Sequence, residues 1–393
     1  MTRDLHTQSL CANGHVMGSV ISRTRRLEQR STRIVFFIAG FGMAGWAPLV
    51  PFAKARAGID DGALGLLLLC LGVGSIATMS LAGALAARFG CRRVVIVSAV
   101  PLCLTLPLLA TISSPALLAV VLLVFGASLG SIDVTMNIQA IIVERASERS
   151  MMSGFHGLFS LGGIAGAACI AALLGAGASP FTATLCLAGG IIVALAAAAS
   201  HLLPRGSERE GPAFAVPHGV VLFIGVLCFI AFLAEGAMLD WSAVFLTSVD
   251  GMATAYTGLG YAVFSLTMTI GRLAGDSIVQ RFGSTNIIAF GGICAAAGFA
   301  LATLVPSWQL TLVGYALIGA GCANIVPILY TSVGRQTVMP EYLAVPAITT
   351  LGYAGILAGP PFIGFVAHLV SLSAAFLIMA ILLLGVAMSG RLR

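Results

Sequence analysis

Gly83-Ala84-Leu85-Ala86-Ala87-Arg88-Phe89-Gly90-Cys91-Arg92-Arg93 joins two long apolar runs through three arginines and a glycine. A similar break, Arg281-Phe282-Gly283, follows another apolar run 193 positions later. Working outward, the remaining basic residues obey one pattern. Eighteen of the 20 Lys and Arg residues fall at alternate gaps between apolar segments, as Arg3, Arg23, Arg25, Arg26, Arg30, Arg33, Arg88, Arg92, Arg93, Arg145, Arg149, Arg205, Arg209, Arg272, Arg281, Arg335, Arg391 and Arg393. Only Lys54 and Arg56 fall on the other side. Because basic loops stay on the cytoplasmic side of a bilayer, this asymmetry predicts a multi-pass protein of the inner membrane with both termini in the cytoplasm.

Composition excludes a water-soluble globule. With 59% hydrophobic residues, 9% charged residues and a mean hydropathy of +1.05, 393 residues have too little polar surface to cover their apolar side chains. The net charge of +6 does not point to nucleic acid, since the arginines are dispersed in short loops without interleaved aromatics. Anionic lipid headgroups are the expected partners of that charge. Nine cysteines, mostly inside apolar segments and without a CxxC pair, read as small packing residues; no metal and no cofactor is expected. Residues 1–30 lack the cleavage site of a secretory signal and read as an unstructured cytoplasmic tail, within which Met17 is an alternative start.

Twelve apolar segments follow, near 34–53, 62–86, 94–112, 115–143, 151–177, 180–203, 219–248, 254–275, 285–305, 308–333, 343–370 and 372–390. An even number returns the chain to its starting side. The gap 204–217, with Arg205, Glu208, Arg209 and Glu210, divides a six-helix bundle at 31–203 from another at 218–393. The halves echo one another: at the offset of 193, Gly162-Gly163-Ile164-Ala165-Gly166 matches Gly355-Ile356-Leu357-Ala358-Gly359, and at 195 Trp46 matches Trp241. Such duplication marks carriers built from two related bodies.

Over residues 31–390 the chain resembles the major facilitator superfamily, with the run Gly83 to Arg93 similar to that superfamily's loop between helices 2 and 3. The usual pattern has Asp where Ala87 stands, whereas the second half keeps an acid at Asp276 before Arg281-Phe282-Gly283. Asp133-Val134-Thr135-Met136-Asn137, Glu144-Arg145, Ser153-Gly154-Phe155-His156-Gly157, Glu235-Gly236-Ala237 and Asp240-Trp241-Ser242-Ala243 are similar to its MosC-like and YbjJ-like branch. The resemblance implies an all-α membrane protein of 12 helices in two pseudo-symmetric six-helix bundles, working by alternating access.

Candidate residues for binding and coupling follow from depth. Asp133 lies eleven residues before Glu144, about 16 Å along the helix axis and so near the midplane, where an ionisable group is costly. Asn137 sits one turn on and shares its face. The pair either faces a cavity or locks packing against a neighbouring helix. Glu235 and Asp240 turn about 140° apart on their helix, so they cannot serve one point; Glu235 is the deeper, and Asp240, beside Trp241, suits a helix end or gate. His156 opens segment 5, as proton relay or as a capping or core group. Asn324 stands before Pro327, which removes a helix hydrogen bond at the depth where duplicated carriers bind cargo. Tyr261, Tyr315, Tyr330, Tyr353, Trp46 and Trp241 offer stacking and hydroxyl contacts to a sugar-like solute, or anchor the interfaces. Gly83, Arg88, Gly90, Arg92, Arg93, Arg272, Asp276 and Arg281 read as a cytoplasmic latch, with Asp276 pairing an arginine or facing a helix N-terminus.

Two motif matches carry no chemistry. Gly126-Ala127-Ser128-Leu129-Gly130 fits a nucleophile elbow, yet it lies inside a spanning helix, where small residues mean close packing. The run from Gly355 through Gly359-Pro360-Pro361 to Gly364 resembles an antiporter signature but stands in segment 11 instead of segment 5. No GxxxxGK[ST] motif indicates direct ATP hydrolysis. The function expected is proton-coupled symport of a small polar metabolite by a monomer that is not an enzyme. Proton-exchange efflux of an amphipathic compound uses the same scaffold, and a membrane sensor or intramembrane enzyme is the alternative from another class.

Overall fold

The computed structural model describes residues 3–204, 215–249, 251–252 and 258–389, leaving out the side chains of 3–23 and of 61, 62 and 65. The described residues are helical with no strand. The first half contains α1 (Arg3–Ala44), α2 (Val50–Ala57), α3 (Asp61–Phe89), α4 (Cys91–Thr111), α5 (Pro115–Ser147), α6 (Met152–Gly175) and α7 (Pro180–Ala199). The second contains α8 (Gly219–Ser248), α9 (Gly258–Phe282), α10 (Ser284–Leu304), α11 (Trp308–Cys322), α12 (Ile325–Val333), α13 (Glu341–Leu369) and α14 (Leu372–Ser389). They make twelve rods, because α1 and α2 form one rod bent around Trp46, and α11 and α12 form one rod interrupted at Ala323-Asn324. Eleven rods are long and apolar enough to cross a bilayer by length and composition. The twelfth, α9, carries Arg272 and Asp276 within its length.

One expectation changes. The backbone of residues 3–30 continues helically into the first rod instead of forming an unstructured tail, and no proline interrupts it. Residues Arg205, Glu208, Arg209 and Glu210 of the expected linker lie outside the described residues.

Hydrocarbon offers backbone groups no partner, so each rod satisfies its own ladder and its ends need caps. Asp60 Oδ1 accepts from Ala63 N at 2.7 Å, and Ser179 Oγ accepts from Thr182 N at 3.1 Å. Gly90 and Gly283 adopt almost the same left-handed backbone, with φ of 86° and 78°, which lets the chain turn directly from one rod into the next. Beside them Arg88 stacks over Phe89 at 5.1 Å and Arg281 over Phe282 at 5.4 Å, so the repeated tripeptide is also a repeated structure.

Between rods, glycines bring backbone against backbone. Gly126 and Gly130 of α5 press on the carbonyls of Leu71 and Ser75 in α3, and Gly162 and Gly166 of α6 press on those of Phe37 and Phe41 in α1. Gly355 of α13 does the same to Phe229 of α8. Ser128 donates within its own helix to Val124 O at 2.7 Å. The Gly126-to-Gly130 run is therefore a packing stripe, as its place in a helix implies.

The two halves meet through α3 against α13 and α6 against α9. Many of the bonds across this seam gather at the end that carries Arg145, Arg149 and Arg335, here called the basic end. Asp276 Oδ2 of α9 accepts from Gly154 N in the first turn of α6 at 3.1 Å. Glu144 Oε2 accepts from Met151 N and Met152 N at 2.7 and 2.8 Å, and its Oε1 accepts from Thr331 Oγ1 at 2.6 Å. One helix N-terminus thus draws a carboxylate from each half, as its dipole and free N–H groups favour. Arg145 pairs with Glu341 at 2.9 Å and donates to Gly334 O. A cavity of about 480 Å³ remains there, lined by Glu144, Arg145, Arg149, Gln280, Thr331 and Arg335. At the opposite end Arg56 donates to Ile112 O and Leu109 O, at 3.0 and 2.7 Å.

Gly126→Val is expected to lower stability by about 1–3 kcal/mol or more through forced separation of α3 and α5, while Gly189→Ala, with open space around it, keeps or raises the unfolding temperature. Equal unfolding temperatures for the two variants would contradict the packing stripe. Asp276→Ala is expected to cost about 1 kcal/mol at the α6 cap and to speed hydrogen exchange of the first α6 turn about fivefold. Unchanged exchange there would show that the cap does not hold the seam.

Candidate functional site

The site begins with a missing hydrogen. Pro327 has no N–H to return to the carbonyl four residues earlier, so Ala323 O loses its helical donor and the rod breaks at Asn324. Arg272 of α9 supplies the replacement: its Nε donates to Ala323 O at 3.3 Å. With Nε so held, Nη2 donates to Glu235 Oε1 of α8 at 2.9 Å, and Nη1 donates to Ser160 Oγ of α6, in the other half, at 3.0 Å. The pair is deep, with side-chain exposures of 6% for Arg272 and 15% for Glu235. Asn324 adds a bond from Nδ2 to Gly271 O at 3.2 Å, which ties the break to the arginine's own turn.

This placement corrects the latch expected at Arg272. Ten residues separate it from Phe282 at the end of α9, about 15 Å of rise, so it lies inside the membrane and serves the midplane pair instead of the basic loops. Asp276 faces a helix N-terminus, one of its two expected roles. At the offset of 193 Asp276 is the counterpart of Gly83, and Gln280 is that of Ala87, so the surviving acid is not the missing loop acid. Gly83 itself presses on Tyr342 O and Pro346 of α13. Each half therefore meets the first turns of the opposite helix at the same register, once with a glycine and once with a carboxylate.

A second carboxylate lies across the seam. Asp133 of α5 is half-buried, faces the Tyr353 hydroxyl of α13 and accepts from Asn137 Nδ2 at 3.3 Å; the same amide donates to Asp133 O at 2.9 Å. Asp133, Asn137 and Tyr353 are thus brought together. His156 is buried between the rings of Phe36 and Tyr330, at centroid distances of 5.3 and 5.6 Å, and its Nε2 has no partner among the described residues. Tyr330 donates to or accepts from Thr349 Oγ1 at 2.7 Å.

Other candidates stand apart. Asp240 is exposed and away from the Arg272 pair, as the helix angle implies. Trp241 lies against Gly364, and the indole nitrogens of Trp46 and Trp241 are buried without partners among the described residues. Tyr261 is partly exposed beside Phe264, and Tyr315 donates to Ser242 O at 3.2 Å as a packing group. Arg88, Arg93 and Arg281 are exposed at the basic end, and Arg92 contributes its backbone N–H to Leu203 O at 2.9 Å. Sequence reasoning missed Ser160, Thr331 and Glu341, none of which has a distinguishing local pattern. The proline at 327 was the available signal for the partner of Ala323.

Residues 34–344 match the Major Facilitator Superfamily. The chain is 56% identical over 365 residues to an uncharacterized MFS-type transporter of Yersinia pestis, covering 93% of this chain and 95% of that one. It is 33% identical over 358 residues to the membrane protein MosC of Rhizobium meliloti, covering 90% and 87%. Among solved structures, FucP of E. coli, a fucose:proton symporter, superposes in its outward conformation with a TM-score of 0.79 at 15% identity, covering 94% of this chain and 99% of that one. With its twelve rods, its duplicated loop and a family match over most of its length, the chain belongs to the major facilitator superfamily.

Proposed function

We propose that this chain is a secondary active carrier of the inner membrane that moves a small polar, sugar-like metabolite together with protons by alternating access. The basic end is the cytoplasmic end, by the distribution of its arginines. The closed seam there and the likeness to the outward conformation of FucP support an outward-facing state.

One observation carries the coupling: two half-buried carboxylates near the midplane, one in each half, each belong to a network that crosses the seam. Asp133 of the first half faces the Tyr353 hydroxyl of the second. Glu235 of the second half holds Arg272, which reaches Ser160 of the first. Protonating either carboxylate alters a group of contacts that reaches across the seam, so proton binding and opening share one set of contacts. Cargo binds between the halves, facing these groups, with the Tyr353 ring and hydroxyl among its contacts.

In proteoliposomes holding the purified protein, solute uptake is expected to follow an imposed proton gradient. Asp133→Asn and Glu235→Gln are each expected to abolish the dependence of accumulation on that gradient, while exchange of solute down its own gradient persists at a reduced rate. Uptake indifferent to the gradient in the unaltered protein, or unaltered coupling in both variants, would exclude this mechanism.

A further inference from the structure

The Arg272 network has a charge constraint that the proton alone does not meet. Arg272 donates to three groups, and two of them, Ala323 O and Ser160 Oγ, are neutral. Glu235 supplies its only negative partner among the described contacts. Asp133 differs, since Asn137, which donates to it, and Tyr353, which faces it, are both neutral, and a proton on it strands no cation. A proton on Glu235 leaves a guanidinium that keeps its charge at any accessible pH, inside a low-dielectric seam, without a counter-charge.

We propose that the transported solute carries a carboxylate that replaces Glu235 as the partner of Arg272 when Glu235 takes up a proton. This deepens the carrier function above and rests on it. The guanidinium geometry suits the exchange. Nε is fixed on the carbonyl freed by Pro327, so Nη1 and Nη2 present an end-on edge, now shared between Ser160 and Glu235. A carboxylate accepts from both as a planar fork. Its second oxygen takes Nη1 from Ser160 and thereby releases a bond between the halves, so cargo binding itself loosens the seam. Charges balance: one proton joins Glu235, one monoanion joins Arg272, and their joint passage moves no net charge. A neutral sugar carried with one proton moves one positive charge instead. The titratable and charged groups facing Glu235 are Arg272 and Tyr261 of α9 and Cys322 of α11, with His156 of α6 beyond Arg272.

Formate is the smallest carboxylate probe of this edge. The purified full-length protein is titrated with sodium formate at constant ionic strength across a series of pH values, and binding is read from the unfolding temperature. One proton taken up per formate is expected to tighten apparent affinity by about tenfold for each unit of acidification above the pKa of Glu235. Glu235→Gln is expected to bind formate without pH dependence, and Arg272→Gln not to bind it. Should either variant fail to fold, the pH series on the unaltered protein decides alone. Formate that does not bind, or binds independently of pH in the unaltered protein, overturns the proposal. The two levels separate cleanly in proteoliposomes. Acid-linked formate binding without gradient-driven flux of any solute would remove the carrier function and leave the carboxylate site. Gradient-driven flux of a neutral polyol that formate does not inhibit would remove the carboxylate site and leave the carrier.

Discussion

A backbone carbonyl in the bilayer interior must find a donor within the protein. That requirement explains why the described residues are helical and also why Arg272 sits where it does. Pro327 deprives Ala323 O of its ladder partner, and Arg272 enters the break to satisfy it. An arginine at that depth then needs a counter-charge, which Glu235 provides at 2.9 Å. The remaining donor reaches Ser160 in the other half. A single missing N–H thus leads, through backbone satisfaction and charge pairing, to a contact that joins the two bodies.

The seam shows how a duplicated architecture becomes asymmetric in its chemistry. Both halves repeat the Arg-Phe-Gly turn with nearly the same backbone, and both place the residue of the Gly83 register against the first turns of the opposite helix. In one case a glycine allows close approach to Tyr342 and Pro346. In the other Asp276 joins Glu144 at the start of α6, so that helix end is held by a carboxylate from each half. Close packing is short-ranged and insensitive to hydration, whereas the carboxylate contacts weaken when water or protons reach them. The pseudo-symmetry supplies the shape of the contact, and the acid at one register adds charged hydrogen bonds to it.

Much of this was legible in the sequence because lipid imposes strict rules. Rod number and rod ends follow from apolar length and arginine position, and the duplication is visible in the spacing of Arg88 and Arg281. Asp133 with Asn137, and the separation of Glu235 from Asp240, follow from helical pitch alone. Arg272 was misplaced because charge counting assigns an arginine to the nearest gap, while its depth of ten residues within α9 says otherwise. Ser160 was unreadable, since nothing local distinguishes a serine that meets an arginine 112 positions away. The helical backbone before residue 30 shows the converse, a polar segment whose lack of proline says more than its charge.

The central claim is that protonation at the midplane and closure of the two ends belong to one equilibrium. Electron–electron spin resonance distances test it directly, with one label pair at Glu148 and Arg335 across the basic end and another at Gly58 and Ser248 across the opposite end, in a cysteine-free background. Acidification in the presence of solute is expected to lengthen the first distance and shorten the second. Distances that stay fixed, or that lengthen together, would contradict it.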